Sequence, residues 1–279
     1  MKLKIFSVHA SRTDFLELQY KSLSYFLEDD FEYYCIDNFV DSASTEFVFN
    51  KCKDLNINYV RFNSYELKGN AFDHAPALNS IKTITTDDCI NVVLDFDIFL
   101  INKFSIIRYI ENFDIAGMYQ QRNNFELEYL APFIVIVNCG KNFTEIDFDS
   151  RKDILSDVGG NISHYLKNRK VKLIRHTSAL NRKNDVDCFN IDYNPSFGCQ
   201  ILESSFLHYY RGTNWDNSSN IYHKEKTEWL NNALDYSKNK NILNQSYLDK
   251  YQNVFNHSFN YWNGSEQPFN SVMNPYLVQ

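Results

Sequence analysis

Residues Ile90–Leu100 read INVVLDFDIFL, an apolar run that stops on two aspartates, Asp95 and Asp97, with one phenylalanine between them. Asn91 to Leu94 is uncharged and rich in β-branched residues, the pattern of a strand covered on both faces. Side chains alternate along a strand, so both carboxylates are expected to point the same way, about 7 Å apart, at the carboxyl end of a core strand. Like charges so placed repel unless a cation sits between them, and a divalent metal with oxygen ligands is the usual one.

Upstream of this strand, Lys2 to Val8 alternates as a first strand, and Leu16, Tyr20, Leu23 and Leu27 give the next segment helical spacing. Asp14 and Glu17 are expected to cap that helix. FEYYCID (Phe31–Asp37) reads as a second strand, Ser44 to Lys53 as a helix and INYVRF (Ile57–Phe62) as a third strand. NAFDHAPALNSIKTI then predicts a helix with Asp73 as N-cap and Pro76 in the first turn. This βαβαβ rhythm implies an α/β chain with a mostly parallel, doubly wound sheet. Ligands of such sheets gather at the carboxyl ends of the strands, which puts His9, Asp37, Asp95 and Asp97 on one rim.

Downstream the pattern is mixed. It predicts a short helix near Phe104 to Glu111, strands at DIAGM (Asp114–Met118) and PFIVIV (Pro132–Val137), and a helix starting at Asp157 in DVGGNISHYLKN. A further strand, SFLHYY (Ser205–Tyr210), runs into RGTNW (Arg211–Trp215). From Asp216 the chain is polar and helical, with Trp229, Leu230, Leu234, Tyr247, Leu248, Tyr251 and Val254 as one-sided contacts. The expected division is a catalytic domain over 1–215, comprising a nucleotide-binding half (1–103) and an acceptor and metal half (104–215), followed by a helical extension over 216–279.

Composition bounds the function. With 279 residues, 44% hydrophobic and 23% charged, the chain is an ordinary globular one. No apolar run approaches the roughly 18 residues of a membrane span, and the first residues lack the apolar stretch of a signal peptide, so a cytoplasmic location is expected. Six scattered cysteines without a CxxC pair suggest buried thiols rather than zinc ligands or disulfides. A net charge of −7 argues against a purely electrostatic nucleic-acid binder. Lys167 to Lys183 departs from that average, with seven Lys and Arg and no acid; it is either a phosphate-facing patch or a solvated helix end followed by an amphipathic strand.

Three D-x-D triplets occur, but Asp147/Asp149 and Asp185/Asp187 lie in polar surroundings, and only Asp95/Asp97 ends an apolar strand. That placement resembles nucleotide-sugar glycosyltransferases of the GT-A fold, which carry D-x-D after a core strand of a Rossmann-like nucleotide-binding half. HYYRGTNW is similar to the His-x-x-Gly-x-x-Lys-Pro-Trp segment of the family-8 retaining enzymes, with His208, Gly212 and Trp215 at altered spacing and no Lys-Pro. The resemblance covers about residues 1–215. It implies Asp95, Asp97 and His208 as ligands of Mn²⁺ or Mg²⁺, with Asp95 also within reach of the ribose. It further implies a UDP-linked donor held by His9, Arg12, Asp37, His74, Asp95, Gly212 and Trp215, with Asn79 facing the sugar. Asp157 would deprotonate the acceptor or orient the sugar, and Tyr209, Tyr210 or Trp215 would stack on sugar or base. Alternative structural readings are a core or strand-end histidine for His208, helix caps for Asp73, His74 and Asp157, core positions for Tyr209, Tyr210 and Trp215, and surface loop residues for His9, Arg12 and Asp37.

The implied acceptor is a glycan or lipid-linked saccharide, or DNA carrying a hydroxylated base, which the basic segment would suit. VVLDFDIFL also resembles the first motif of haloacid-dehalogenase-like phosphohydrolases, with Asp95 as nucleophile, although Phe99 stands where that family has Thr or Val and its motif normally opens the fold. A sugar-binding module without catalysis is the third reading.

Overall fold

In the computed structural model, residues 1–9, 12–38, 42–62, 74–122, 127–153, 156–180, 188–210, 212 and 220–247 are described. The stretch that decides the fold forms strand β4 (Cys89–Asp95), buried along its length except at Asp95. It lies beside β1 (Lys2–His9), which pairs on its other side with β2 (Phe31–Asp37), and β2 pairs with β3 (Asn58–Arg61). These four strands are mutually parallel. The sheet continues through β7 (Leu127–Val137), antiparallel to β4, then β6 (Ile115–Arg122), antiparallel to β7, and β8 (Val171–Leu173), parallel to β6. The order is β3-β2-β1-β4-β7-β6-β8, so only β7 runs against the rest.

Strand alternation divides the core between the two faces. Leu3, Ile5, Val92, Leu94, Ile134 and Ile136 meet Leu16, Leu23 and Phe26 of helix α1 (Thr13–Phe26) and Val48 and Cys52 of α2 (Ser42–Leu55). Phe6, Val8, Val93, Val135 and Val137 face Ala77 and Leu78 of α3 (His74–Ser80) and Ile162 and Tyr165 of α5 (Ile162–Tyr165). Wholly buried, each of Val92, Val93 and Leu94 contributes about 1.5–3 kcal/mol to folding.

A second, antiparallel sheet is built from β5 (Ile98–Leu100), β11 (Phe206–His208), β10 (Cys199–Leu202) and β9 (His176–Leu180). Between the sheets, α4 (Ile106–Ile110) is capped by Ser105, whose hydroxyl accepts from the Arg108 N–H. Helix α6 (Asn220–Ser237) buries Trp229, Leu230, Ala233 and Leu234 in one cluster with Phe15, Phe96, Phe99 and Tyr209, so it shares a core with α1 and the second sheet.

Three local expectations are corrected. Asp14 and Glu17 do not form a capping box: Arg12 is the N-cap residue and makes no side-chain cap, Asp14 is held by the Arg12 guanidinium, and Glu17 pairs with Lys21 and Lys51. The helix after DVGG starts at Ile162, because Val158 to Gly160 turns and Gly159 sits at φ +88°, so Asp157 does not cap it. Strand alternation does not extend to Asp97, since β4 ends at Asp95 and Phe96–Asp97 form a turn into β5.

Candidate active site

Chain order in the main sheet reverses between β1 and β4, since β2 follows on one side and β4 on the other. Crevices at such points, outside the carboxyl ends of the strands, are where ligands bind in open α/β sheets. Register brings the expected rim residues there: His9 is the partner of Asp37, and Val8 the partner of Asp95.

The two aspartates face different partners. Asp95 Oδ1 lies 3.3 Å from His74 Nε2, both atoms buried and without hydrogen-bond geometry. Burial lowers the basicity of His74, but Asp95, Asp97 and Asp157 together outweigh it and raise the pKa above the ordinary histidine value. These three carboxylates and His74 therefore share one electrostatic environment. Asp97 is buried in its turn, with Oδ1 3.4 Å from His208 Nε2 and Oδ2 accepting the Gly212 N–H at 3.0 Å. Burial would raise its pKa, yet His208, the Gly212 N–H and Lys226 hold the carboxyl below the usual range.

His208 reaches this point because β11 pairs with β5, matching His208 to Ile98, directly after the Asp97 turn. Gln200 Oε1 stands 3.0 Å from His208 Nδ1 and accepts a hydrogen bond from it, which turns Nε2 toward Asp97. Phe133 stacks on the ring at 4.7 Å and Tyr210 meets it edge-on at 5.8 Å. Glycine is required at 212: an added Cβ would stand 2.8 Å from Asp97 Oδ2 and 2.9 Å from Asp97 Cβ.

Other expected residues reach the rim but are engaged in holding it together. His9 is fully buried, its Nε2 3.0 Å from the Tyr33 hydroxyl, which donates to Gln19 Oε1; Gln19 Nε2 in turn donates to the carbonyls of Asp95 and Ile98. Burial pushes the His9 pKa down to about 3, so the ring is neutral at physiological pH. Asp37 accepts from the Tyr59 hydroxyl and from Arg61 at 2.6 and 2.7 Å. Arg12 makes a bidentate pair with Asp14, lies over the Phe15 ring and donates to Thr227. Asn79 points away from β4, donating to Asp147 and Asp149 and accepting from the Phe148 N–H. Asp157 is exposed and accepts its neighbour Val158's N–H. Tyr209 is buried whereas Tyr210 is exposed. Trp215 and Asp73 lie outside the described residues.

Several partners carried no signal in the sequence. Gln200 and Gln19 are single amides whose roles depend on contacts across the fold, and Lys226 sits in a helix that reads as polar. Among the described residues, no group of three or more His, Cys, Asp and Glu side chains is gathered to hold a metal ion. An open cavity of about 490 Å³, lined by Glu145, His164, Tyr165, Lys167, Asn168 and Arg169, lies just before β8. Register matches Val171 to Ile115, Ile115 to Val137 and Val137 to Asn91, which places the cavity at the amino end of the sheet, opposite Asp95. The basic segment begins there; Arg169 pairs with Glu145, Arg175 with Glu203, and Lys172 lies over the Tyr109 ring.

The fold is similar to those of several solved structures, a galactosyltransferase and a mannosyltransferase among them. One is S. aureus TarS 1–349, with 14% identity, 62% of this chain and 58% of that chain covered, and a TM-score of 0.42. The galactosyltransferase LgtC in complex with donor and acceptor sugar analogs gives 12%, 59%, 70% and 0.41. The mannosyltransferase PcManGT from Pyrobaculum calidifontis, in complex with GDP-Man and Mn²⁺, gives 12%, 59%, 50% and 0.42. The match thus spans less than two thirds of the TarS and PcManGT chains. No family model and no curated protein matches the sequence. Among the described residues no helix is long and apolar enough to cross a membrane.

Proposed function

We propose that this chain is a GT-A type glycosyltransferase, moving a sugar from a nucleotide-sugar donor to an acceptor hydroxyl, with Asp97 and His208 as the facing pair that would hold a divalent cation and Asp95 on the same rim. The observation that carries the reading is the meeting of Asp97 with the 208–212 segment, 115 residues away at Gly212, at the carboxyl rim of the central strands. An imidazole nitrogen facing an ionised carboxylate calls for a proton or a cation between them. The 3.4 Å between Asp97 Oδ1 and His208 Nε2 fits two donors around one ion, given metal–ligand distances of about 2.0–2.2 Å. Metal-bound histidines commonly have their other nitrogen oriented by an acceptor, the part Gln200 takes here. A carboxylate and imidazole set suits Mn²⁺, and an all-oxygen set Mg²⁺.

When bound, the cation stabilises charge growing on the departing nucleoside diphosphate. The chain's own residues do the rest. Asp95 and His74, at the end of β4 and the start of α3, flank the place of the donor. The Tyr33–Gln19 relay fixes the carbonyls on either side of the D-x-D turn, which holds both carboxylates in register. Asp157 is the candidate to accept the acceptor's proton or orient the sugar. The acceptor we propose is a saccharide hydroxyl, glycan or lipid-linked. DNA with a hydroxylated base is favoured less, because the basic segment begins at the opposite end of the sheet and three of its cations have structural partners.

Calorimetry with UDP and other nucleoside diphosphates tests the reading, and a screen of nucleotide-sugars then identifies the donor. Wild type should bind tightly only with Mn²⁺ present, and Asp97→Asn weakly in either case, with turnover lower by orders of magnitude. Equal wild-type affinity with and without metal for every nucleotide tried would remove the metal-bridged diphosphate.

A further inference from the structure

We propose that Lys226 of α6 is a positioning residue: its buried ammonium ties the carbonyls of Tyr209 and Tyr210 and thereby holds the His208–Gly212 segment against Asp97. This deepens the site described above and rests on Asp97 facing the cation.

Lysine is almost never fully buried unless its charge is met, and Lys226 is 1% exposed. Its Nζ donates to Tyr209 O at 2.5 Å and to Tyr210 O at 3.3 Å, and lies 3.8 Å from the Tyr209 ring centre. Tyr209 is thus gripped on both sides, its N–H donating to the Asp97 carbonyl at 2.8 Å and its carbonyl accepting from Lys226. The next residue, Tyr210, sits at φ +63°, a left-handed conformation that L residues adopt only when their surroundings hold them there. Two carbonyls converging on one ammonium give that constraint. Two residues on, the Gly212 N–H meets Asp97 Oδ2.

The same face of α6, at 223, 226 and 227, reaches the other rim loop. His223 Nδ1 lies 3.2 Å from the Tyr209 hydroxyl, and Arg12, just before α1, donates to Thr227. Helix α6 therefore joins the loop after β1 to the loop after β11, with Lys226 at the contact nearest Asp97. Its charge also helps keep Asp97 ionised. Charge and clamp pull in opposite directions on cation binding: a nearby ammonium repels a divalent ion, whereas a fixed loop presents the ligands. The clamp dominates, because Nζ bonds the carbonyls of Tyr209 and Tyr210 directly.

The test compares wild type, Lys226→Met, which keeps an unbranched side chain without charge or donors, and Leu230→Ala, which removes a buried side chain one turn along α6. Two quantities are read: amide exchange at Tyr209 and Gly212 in metal-free protein, and UDP affinity with saturating Mn²⁺. Lys226→Met should speed both amides and weaken UDP by about tenfold or more, the worth of a buried charged hydrogen bond. Leu230→Ala should lower the melting temperature at least as much while sparing both readouts. Unchanged exchange in Lys226→Met, an equal loss in Leu230→Ala, or tighter UDP binding by Lys226→Met would overturn the proposal. If wild type bound no nucleotide with Mn²⁺, the functional reading would fall, and the exchange data alone would decide whether Lys226 clamps the loop.

Discussion

Gly212→Ala probes the closest approach in the site. The new Cβ would stand 2.8 Å from Asp97 Oδ2 and 2.9 Å from Asp97 Cβ, whereas apolar contacts are comfortable near about 3.5 Å, so something must move by roughly 0.5–1 Å. Asp97 is the harder of the two to shift, being 5% exposed in a turn between two strands and bonded through its carbonyl to Tyr209. The loop yields instead, and the Gly212 N–H to Oδ2 distance opens from 3.0 Å. Past about 3.5 Å that bond is lost. A hydrogen bond to a charged acceptor is worth about 1.5–3 kcal/mol. Alanine returns about 0.4–1 kcal/mol by restricting the unfolded chain, since residue 212 has no left-handed φ. The net loss is about 1–2 kcal/mol, or roughly 3–6 °C in melting temperature for a chain of this size. In an Asp97→Gly background Cβ and carboxylate are both absent, so the clash and the acceptor are gone and Gly212→Ala should stabilise by about 0.4–1 kcal/mol. Urea unfolding of the four proteins reads this change of sign. The same cost in both backgrounds, to within about 0.5 kcal/mol, would show that the glycine serves something other than the approach to Asp97.

Further outcomes follow from the rim. His9 has its folded pKa lowered to about 3 by burial, so between the ordinary value of 6.5 and 3 the unfolded chain takes a proton that the native one does not. Stability should be full above pH 6.5 and fall below it by up to about 1.4 kcal/mol per pH unit, and His9→Gln should flatten that slope in urea titrations at pH 4 to 7; an unaltered slope would contradict a buried neutral His9. Tyr33→Phe strands the Gln19 acceptor and the His9 nitrogen in the core, and should cost about 2–4 kcal/mol by the same assay. His208→Ala should weaken Mn²⁺-dependent nucleotide binding less than Asp97→Asn, measured calorimetrically, because it removes a neutral ligand rather than a charged one. If DNA were nonetheless the acceptor, glycosylation should drop steeply between low and moderate salt, and activity on DNA that ignores salt would exclude phosphate contacts.

Local pattern alone was enough for the α/β class and most of the first hundred residues. Apolar alternation in β1 and β2, helical spacing in α1 and the uncharged run of β4 are properties of neighbouring residues, and βα alternation leaves a parallel sheet as the economical way to cover them. The strand-end rule places His9, Asp37 and Asp95 at one edge, and the register sets them there. What each side chain does there was not legible. Asp37 meets Arg61, His9 meets Tyr33, and Asn79 turns to Asp147 and Asp149, because buried polar groups take whatever partner the packing presents. The Asp97 turn broke the alternation that had made the two aspartates look equivalent. His208 and Gly212 come to Asp97 through β5–β11 pairing, a contact between segments more than a hundred residues apart, and Lys226 reaches Tyr209 through the docking of α6. Such contacts are fixed by the free energy of the whole core: HYYRGTNW singles out His208 and Gly212 only by its likeness to a motif, and no periodicity or spacing in α6 announces Lys226.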